Sequence, residues 1–195
     1  MNYPNSVNKR RNKQINYGHR GMSLEYDINE SNEFYLINDI AVIHKKPTPI
    51  TIVDVDYPSR SEAVITKAYF KVASTTDYNG IYKGKYIDFE AKETKNKTGF
   101  PLSNIHNHQI KHLILVSKHG GISFIIVRFT ALNETYLLSS KKLKDFLDNN
   151  TKTSIPIDYF KKNGYLIKDK FNPRVDYLSI VDSIFLKGEK NEENN

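Results

Sequence analysis

Apolar and polar positions along the chain change their spacing several times, and each spacing predicts a kind of element. Between 23 and 38, Leu24, Ile28 and Tyr35 recur at intervals that place them on one face of a helix. The nearly continuous apolar run over 122–129 predicts a strand in the middle of a covered sheet.

Shorter patterns predict the remaining elements. We expect strands at 41–45, 50–56, 63–72, 78–82, 86–94, 122–129 and 134–139. We expect helices at 23–38, from 101 or 103 to about 117, at 140–148 and at 174–186. Because helices and strands are interleaved, the predicted class is α/β, with a mixed central sheet flanked by helices.

The chain divides into three regions by composition. Residues 1–20 are basic and predict a flexible arm, 21–187 predict one folded domain, and 188–195 predict a disordered tail.

Two prolines follow the first predicted strand. Pro47 and Pro49 enforce an extended backbone, and two β-prone segments come after them. We interpret about 46–71 as an excursion that leaves the core and returns to it.

Strand 86–94 alternates apolar side chains with Asp88, Glu90 and Lys92, which therefore share one face. Asp77 lies on the preceding strand, ahead of a glycine-bearing turn. Two carboxylates and a lysine can converge on one divalent ion and one phosphodiester, which is how a metal-dependent DNA nuclease builds its centre. An ordinary solvated strand would show the same alternation, so the pairing with Asp77 is what favours the nuclease.

Four further groups are candidates for the same site. Asp88 could replace Asp77 as a ligand, and the Ala91 carbonyl could add an oxygen. Glu25 could contribute a carboxylate if its helix packs beside the site, although a first-turn acid is also favoured by the helix dipole. Gln109 could hold a metal-bound water, or it could be a solvated helix residue.

Composition narrows the class of partner. The formal charge is +7 and the isoelectric point about 9.3, which favours a polyanion such as DNA. Cysteine is absent, which excludes disulfides, zinc ribbons and a thiol nucleophile. No apolar run approaches the roughly 20 residues that span a bilayer, and no secretory signal is evident, so we expect a soluble cytoplasmic protein without a membrane partner.

Two other motifs are weak. His108 and His112 are four apart on a predicted helix, with His106 nearby, but no third zinc ligand is evident. Gly120-Gly121 is a turn, because no lysine and hydroxyl residue follow as in a phosphate-binding loop.

Several blocks resemble the RecU family of Holliday junction resolvases from Gram-positive bacteria and mollicutes. They read GHRGM at 18–22, HKKPTP at 44–49, STTDYNG at 74–80, YIDFEAKETKNK at 86–97 and HQ at 108–109. The resemblance runs over about 15–187 and is less distinctive after about 131.

The resemblance implies a restriction-endonuclease-like (PD-(D/E)xK) core with a projecting stalk at about 46–71. It implies a homodimer that uses Mg²⁺ or Mn²⁺ to cut four-way junctions symmetrically in DNA recombination and repair. Asp77, Glu90 and Lys92 match the catalytic set, Gln109 a glutamine near the metal, and Glu25 the helix acid of related resolvases. The RecA recombinase and a branch-migration helicase are the implied protein partners.

We expect DNA contacts from lysines and arginines in the arm, along the stalk and after the catalytic strand: Lys9, Arg10, Arg11, Lys13, Arg20, Lys45, Lys46, Arg60, Lys67, Lys95 and Lys97. Tyr57, Tyr69 and Phe70 could stack on unpaired bases or pack within the stalk. Two other functions stay open: a type II restriction-like endonuclease on duplex DNA, and a non-catalytic DNA-binding regulator of a recombinase.

Overall fold

The computed structural model describes residues 23–71 and 75–186. The predicted basic arm, with Lys9, Arg10, Arg11, Lys13 and Arg20, and the predicted tail at 188–195 lie outside these residues.

The described residues form ten strands and five α-helices. The strands are β1 (Val42–Lys45), β2 (Ile50–Asp56), β3 (Val64–Phe70), β4 (Tyr78–Tyr82), β5 (Lys85–Thr94), β6 (Gly99–Pro101), β7 (Ile122–Phe129), β8 (Glu134–Ser139), β9 (Ser154–Pro156) and β10 (Tyr165–Ile167). The helices are α1 (Leu24–Ile37), α2 (Asn107–Lys118), α3 (Ser140–Asn149), α4 (Ile157–Asn163) and α5 (Tyr177–Val181).

Six strands make the central sheet, in the order β1-β4-β5-β7-β8-β10. Only β5 and β7 pair in parallel among the described strands, and α2 provides the crossover between them. The other pairs in this sheet are antiparallel. The predicted mixed α/β class, with a mixed central sheet flanked by helices, is therefore confirmed.

Apolar side chains cover both faces of the central sheet. On one face, Ile28 of α1 and Tyr177 of α5 belong to the cluster that contains Phe89. On the other, Leu113 of α2 packs in the cluster that contains Ile125. Helices therefore cover both faces of the central strands.

This burial decides between two alternatives for β5. We expected the face with Asp88, Glu90 and Lys92 to be either solvated or functional. The solvated alternative is wrong for Asp88 and Glu90, whose side chains are fully buried on the face that α2 covers. A charge in such a place requires partners.

The excursion after β1 forms a separate two-stranded sheet, with β2 antiparallel to β3. Every residue of both strands is exposed. Lys71 N–H donates to the Pro49 carbonyl (2.9 Å), so the two strands are close together where the hairpin begins and ends. We call residues 46–71 the stalk.

The helix predicted from 101 or 103 begins later, at Asn107. Pro101 is extended in β6, which pairs with β9, and a single 3₁₀ turn follows at Leu102–Asn104. Gln109 caps the true start, since its side chain accepts a hydrogen bond from the His106 N–H.

The C-terminal third holds elements that the pattern did not indicate, namely β9, α4 and β10. Each is short, with too few residues for a clear period. The predicted helix at 174–186 starts only at Tyr177, capped by Asp176, and continues as a π-helical turn at Asp182–Leu186.

Within the described residues, no helix is long and apolar enough to cross a membrane.

Candidate active site

Asp77, Glu90 and Lys92 lie together where the start of β4 faces the middle of β5. Glu90 Oε2 accepts a hydrogen bond from the Asp77 N–H (3.1 Å). Lys92 Nζ lies 2.5 Å from Glu90 Oε1 and 3.6 Å from Asp77 Oδ2. The lysine therefore bridges the two carboxylates that the sequence predicted to converge.

Strand register explains the convergence. Tyr78 pairs with Phe89 across the antiparallel ladder, so the residue before β4 faces the residue after Phe89. Alternation along β5 then places Glu90 and Lys92 on one face. The local backbone thus brings both carboxylates to one place.

The site is buried on the side of Glu90 and accessible to solvent on the side of Asp77 and Lys92. The Glu90 side chain is 0% exposed, whereas those of Lys92 and Asp77 are 27% and 37% exposed. A phosphate group can therefore approach from the side of Asp77 and Lys92, while Glu90 lies beneath them.

Burial perturbs the protonation of this set. Loss of hydration raises the pKa of Glu90 above its ordinary value, and the nearby Asp77 raises it further, while Lys92 partly opposes both. Burial acts to lower the pKa of Lys92, but Glu90 and Asp77 outweigh it and raise the pKa. Lys92 therefore keeps its proton and acts as a fixed positive charge.

The residues present fit a divalent cation. Glu90 Oε1 is buried and lacks a well-directed hydrogen bond, although the lysine is close. Asp77 and Glu90 offer hard oxygen donors, which Mg²⁺ prefers. In the part of the chain that the structure describes, no group of three or more histidine, cysteine or acidic side chains is arranged to hold a metal. Two carboxylates with water and substrate phosphate are the usual protein share for Mg²⁺.

Gln109 is buried on the helix that covers this face. Its side-chain oxygen is engaged at the start of α2, where it accepts the His106 N–H (3.0 Å). Its predicted place near a metal-bound water stays a prediction.

In the described part of the chain, the histidines at the start of α2 and within it do not form a metal site. His106 and His108 stack, with ring centroids 5.3 Å apart. His112 Nε2 lies 3.1 Å from Asp88 Oδ2. Their rings therefore do not converge on one point.

Glu25 forms an ion pair with Lys45 (2.5 Å). Burial raises the pKa of the Tyr78 hydroxyl, and the charges of Glu25, Asp77 and Glu90 add to the effect, in that order. A contribution of Glu25 to the site stays a prediction.

Asp88 is fully buried and surrounded by donors. Lys46, Thr76, Tyr86 and His112 all contact its carboxylate. No local pattern indicates this set, because Thr76, His112 and Lys46 are 12, 24 and 42 positions from Asp88.

A second contact was also missed. Glu93 Oε1 accepts the Leu24 N–H (2.8 Å), so the strand that carries Glu90 also caps the start of α1. An acid that follows Lys92 in the sequence gives no local signal of such a role.

The remaining candidate DNA contacts are distributed over the surface. Arg60 and Lys67 lie exposed on the stalk, and Lys95 and Lys97 lie exposed after β5. Lys46 is partly buried against Asp88. Their roles toward DNA stay predictions.

Comparison with known proteins agrees with the residue blocks. The family described as RecU, Recombination protein U, matches residues 19–183. Proteins named Holliday junction resolvase RecU from Staphylococcus aureus strains JH9 and COL are each 54% identical, over 95% of this chain and 97% of theirs. A solved structure of Hjc, a Holliday junction resolvase from Archaeoglobus fulgidus, matches with 12% identity, covering 53% of this chain and 78% of its own, at a TM-score of 0.36. The chain therefore belongs to the RecU family.

Proposed function

We propose that this protein is a metal-dependent endonuclease that cleaves four-way DNA junctions, the activity named for its staphylococcal relatives. The observation that supports it most is the arrangement of Asp77, Glu90 and Lys92, with a buried carboxylate beneath an exposed carboxylate and a protonated lysine. The same chemistry would serve any phosphodiester, so the choice of substrate rests on family membership.

Asp77 and Glu90 would hold Mg²⁺, or Mn²⁺ in its place, with Gln109 near a water of its shell. When bound, the ion would lower the pKa of water and stabilise negative charge on the phosphate. Lys92 keeps its proton and adds a positive charge beside the scissile phosphate. Because Lys92 is protonated, we assign it charge stabilisation and not removal of a proton from water.

The symmetry of the substrate suggests a homodimer. Two copies related by a dyad would present two Asp77–Glu90 sites to opposing strands, which allows paired symmetric nicks. The exposed stalk would enter the open centre of the junction, where exposed Tyr57, Tyr69 and Phe70 can stack on unpaired bases.

Basic side chains would contribute affinity without sequence information. Arg60, Lys67, Lys95 and Lys97 are exposed and available for phosphate contacts. With a DNA substrate, the protein would act at the nucleoid in the cytoplasm, and a recombinase such as RecA and a branch-migration helicase would be its partners.

One experiment tests this function. Purified protein is incubated with a synthetic mobile four-way junction and Mg²⁺, with and without EDTA, and the nicks on each strand are mapped. We expect paired symmetric nicks that EDTA abolishes. Asp77→Asn and Glu90→Gln should abolish cutting and retain junction binding, because they keep the side-chain shape but remove the charge that binds the ion.

A linear duplex of the same sequence is the matched substrate. Cutting of the duplex at a fixed sequence would indicate a restriction-like enzyme. Full cutting by a correctly folded Asp77→Asn protein would refute the assignment of the site.

A further inference from the structure

Asp88 forms the centre of a buried polar cluster two residues before Glu90 on β5. Its Oδ2 accepts from Lys46 Nζ (2.9 Å) and from the Tyr86 hydroxyl (2.7 Å), and lies 3.1 Å from His112 Nε2. Its Oδ1 accepts from the Thr76 hydroxyl. The side chain is 0% exposed. The carboxylate thus has a partner on each oxygen and no contact with solvent.

Two of the four partners lie where the chain leaves the core for the stalk and where it returns. Lys46 is the first stalk residue after β1, and Thr76 immediately precedes Asp77. Lys46 Nζ also contacts Thr76 Oγ1 (3.0 Å). The segment that leaves the core and the segment that returns to it are therefore joined to each other through one carboxylate.

The same cluster reaches Asp77 through the backbone. The Lys46 N–H donates to the Asp77 carbonyl (2.7 Å), and the Asp77 N–H donates to Glu90 Oε2 (3.1 Å). A shift of Lys46 or Thr76 would thus move Asp77 relative to Glu90. His112 extends the cluster to α2, which also carries Gln109.

We propose that Asp88 is a positioning residue and not a metal ligand: it holds both ends of the stalk so that Asp77 stays in register with Glu90. This inference rests on the proposed function for its consequence in DNA cleavage. Asp88 could reach an ion only by giving up buried hydrogen bonds, and each buried donor left without a partner is unfavourable. Engagement of the stalk by a junction would act on the site through the same contacts.

Thr76 offers a sharp test, because Thr76→Val keeps its shape and removes only the hydroxyl, while Thr76→Ser keeps the hydroxyl. Single-turnover cleavage of the four-way junction is measured at saturating protein, beside the dissociation constant for the junction. For Thr76→Val we expect a rate about tenfold to a hundredfold lower, as for other small misplacements of reacting groups, with the dissociation constant unchanged. Thr76→Ser should restore most of the rate.

Asp27→Asn is the matched control. Asp27 is also a buried carboxylate, but its side-chain partners are Arg128 and Arg174 instead of residues at the stalk. At a temperature where all variants are folded, Asp27→Asn should cut at nearly the wild-type rate. An equal loss of rate in Asp27→Asn and Thr76→Val would show a general effect of stability and overturn the proposal.

Hydrogen exchange gives a second measurement that does not depend on activity. The amide of Lys46 should exchange faster in Thr76→Val than in wild type, and Thr76→Ser should behave as wild type. Unchanged exchange together with an unchanged cleavage rate would refute the positioning role. If wild-type protein does not cut the junction, the proposed function fails, while exchange at Lys46 still decides whether the cluster holds the stalk to Asp77.

Discussion

The ionised side chain of Glu90 is unfavourable in the folded state of the protein. It is buried, one of its oxygens lacks a well-directed hydrogen bond, and its pKa is raised. Buried ionised groups are unfavourable unless fully paired, and Lys92 provides only part of the compensation. Such a residue is well suited to bind a cation, because the cation offsets the loss of hydration.

We expect Glu90→Gln to stabilise the metal-free protein at neutral pH. The folded state holds the Glu90 proton more tightly than the unfolded state, whose value is near 4.5. Wild-type stability should therefore fall as pH rises from that value toward the raised pKa, and this fall should be absent in Glu90→Gln. With EDTA present, the variant should melt roughly 2–4 °C higher at pH 7.5, which corresponds to about 1 kcal/mol.

Thermal melts at pH 4.5 and pH 7.5 provide the check. The two proteins should differ less at the lower pH, where Glu90 is protonated in the folded state and about half protonated in the unfolded state. A wild-type protein as stable as Glu90→Gln at pH 7.5 would show that the buried carboxylate is fully compensated.

At the scale of elements, the stalk differs from every strand of the central sheet. Its two strands are exposed along their whole length, and they carry apolar side chains including Ile52, Val53 and Phe70. Exposed apolar side chains in such numbers mark an interaction surface, since they add nothing to the core of the described chain.

We expect the stalk to be dispensable for folding and required for junction binding. The Pro49 carbonyl and the Lys71 N–H are 2.9 Å apart, so Gly-Gly can replace residues 50–70 with little strain. The shortened protein should unfold in one transition close to the wild-type midpoint. Its affinity for a four-way junction should fall about tenfold or more, because stacking by even one base contributes about 1–3 kcal/mol.

Electrophoretic mobility shifts with junction and linear duplex measure the effect. Binding to the duplex should change less than binding to the junction. Undiminished affinity for the junction would exclude the stalk from recognition.

At the scale of the whole molecule, a buried ion cluster joins distant segments. Asp27 of α1 contacts Arg128 of β7 and Arg174 before α5, at 2.7 Å in both cases. Val175 N–H also donates to Ser31 Oγ (3.0 Å). Contacts of Asp27 and Ser31 therefore connect α1 to β7 and to the segment that precedes α5.

We expect Asp27→Ala to destabilise the protein by about 3 kcal/mol, because two arginines would lose their buried partner. Urea unfolding followed by circular dichroism gives the change in free energy. Asp148→Ala is the control: Asp148 pairs with Lys144 on the surface, with both side chains about half exposed. Its loss should change stability by less than about 1 kcal/mol. Equal losses of stability for the two variants would show that the contacts of Asp27 with Arg128 and Arg174 have no special role.

Local patterning along the chain was sufficient to predict the central strands and the proximity of Asp77, Glu90 and Lys92. The strands around Asp77 and Glu90 have strict alternation and a clear turn, so their register follows from nearest neighbours. The excursion at 46–71 could be predicted from the sequence because prolines constrain the backbone directly.

Long-range packing accounts for what the pattern did not reveal. Asp88 could have replaced Asp77 as a ligand by its position on the strand. In the fold, Thr76, His112 and Lys46 contact its carboxylate from 12, 24 and 42 positions away. The burial of Glu90 likewise depends on the crossover helix, and the linkage of Asp27 to Arg174 spans 147 positions. Strand alternation determines which side chains share a face. The burial and the hydrogen-bond partners of that face are determined only when distant segments pack against it.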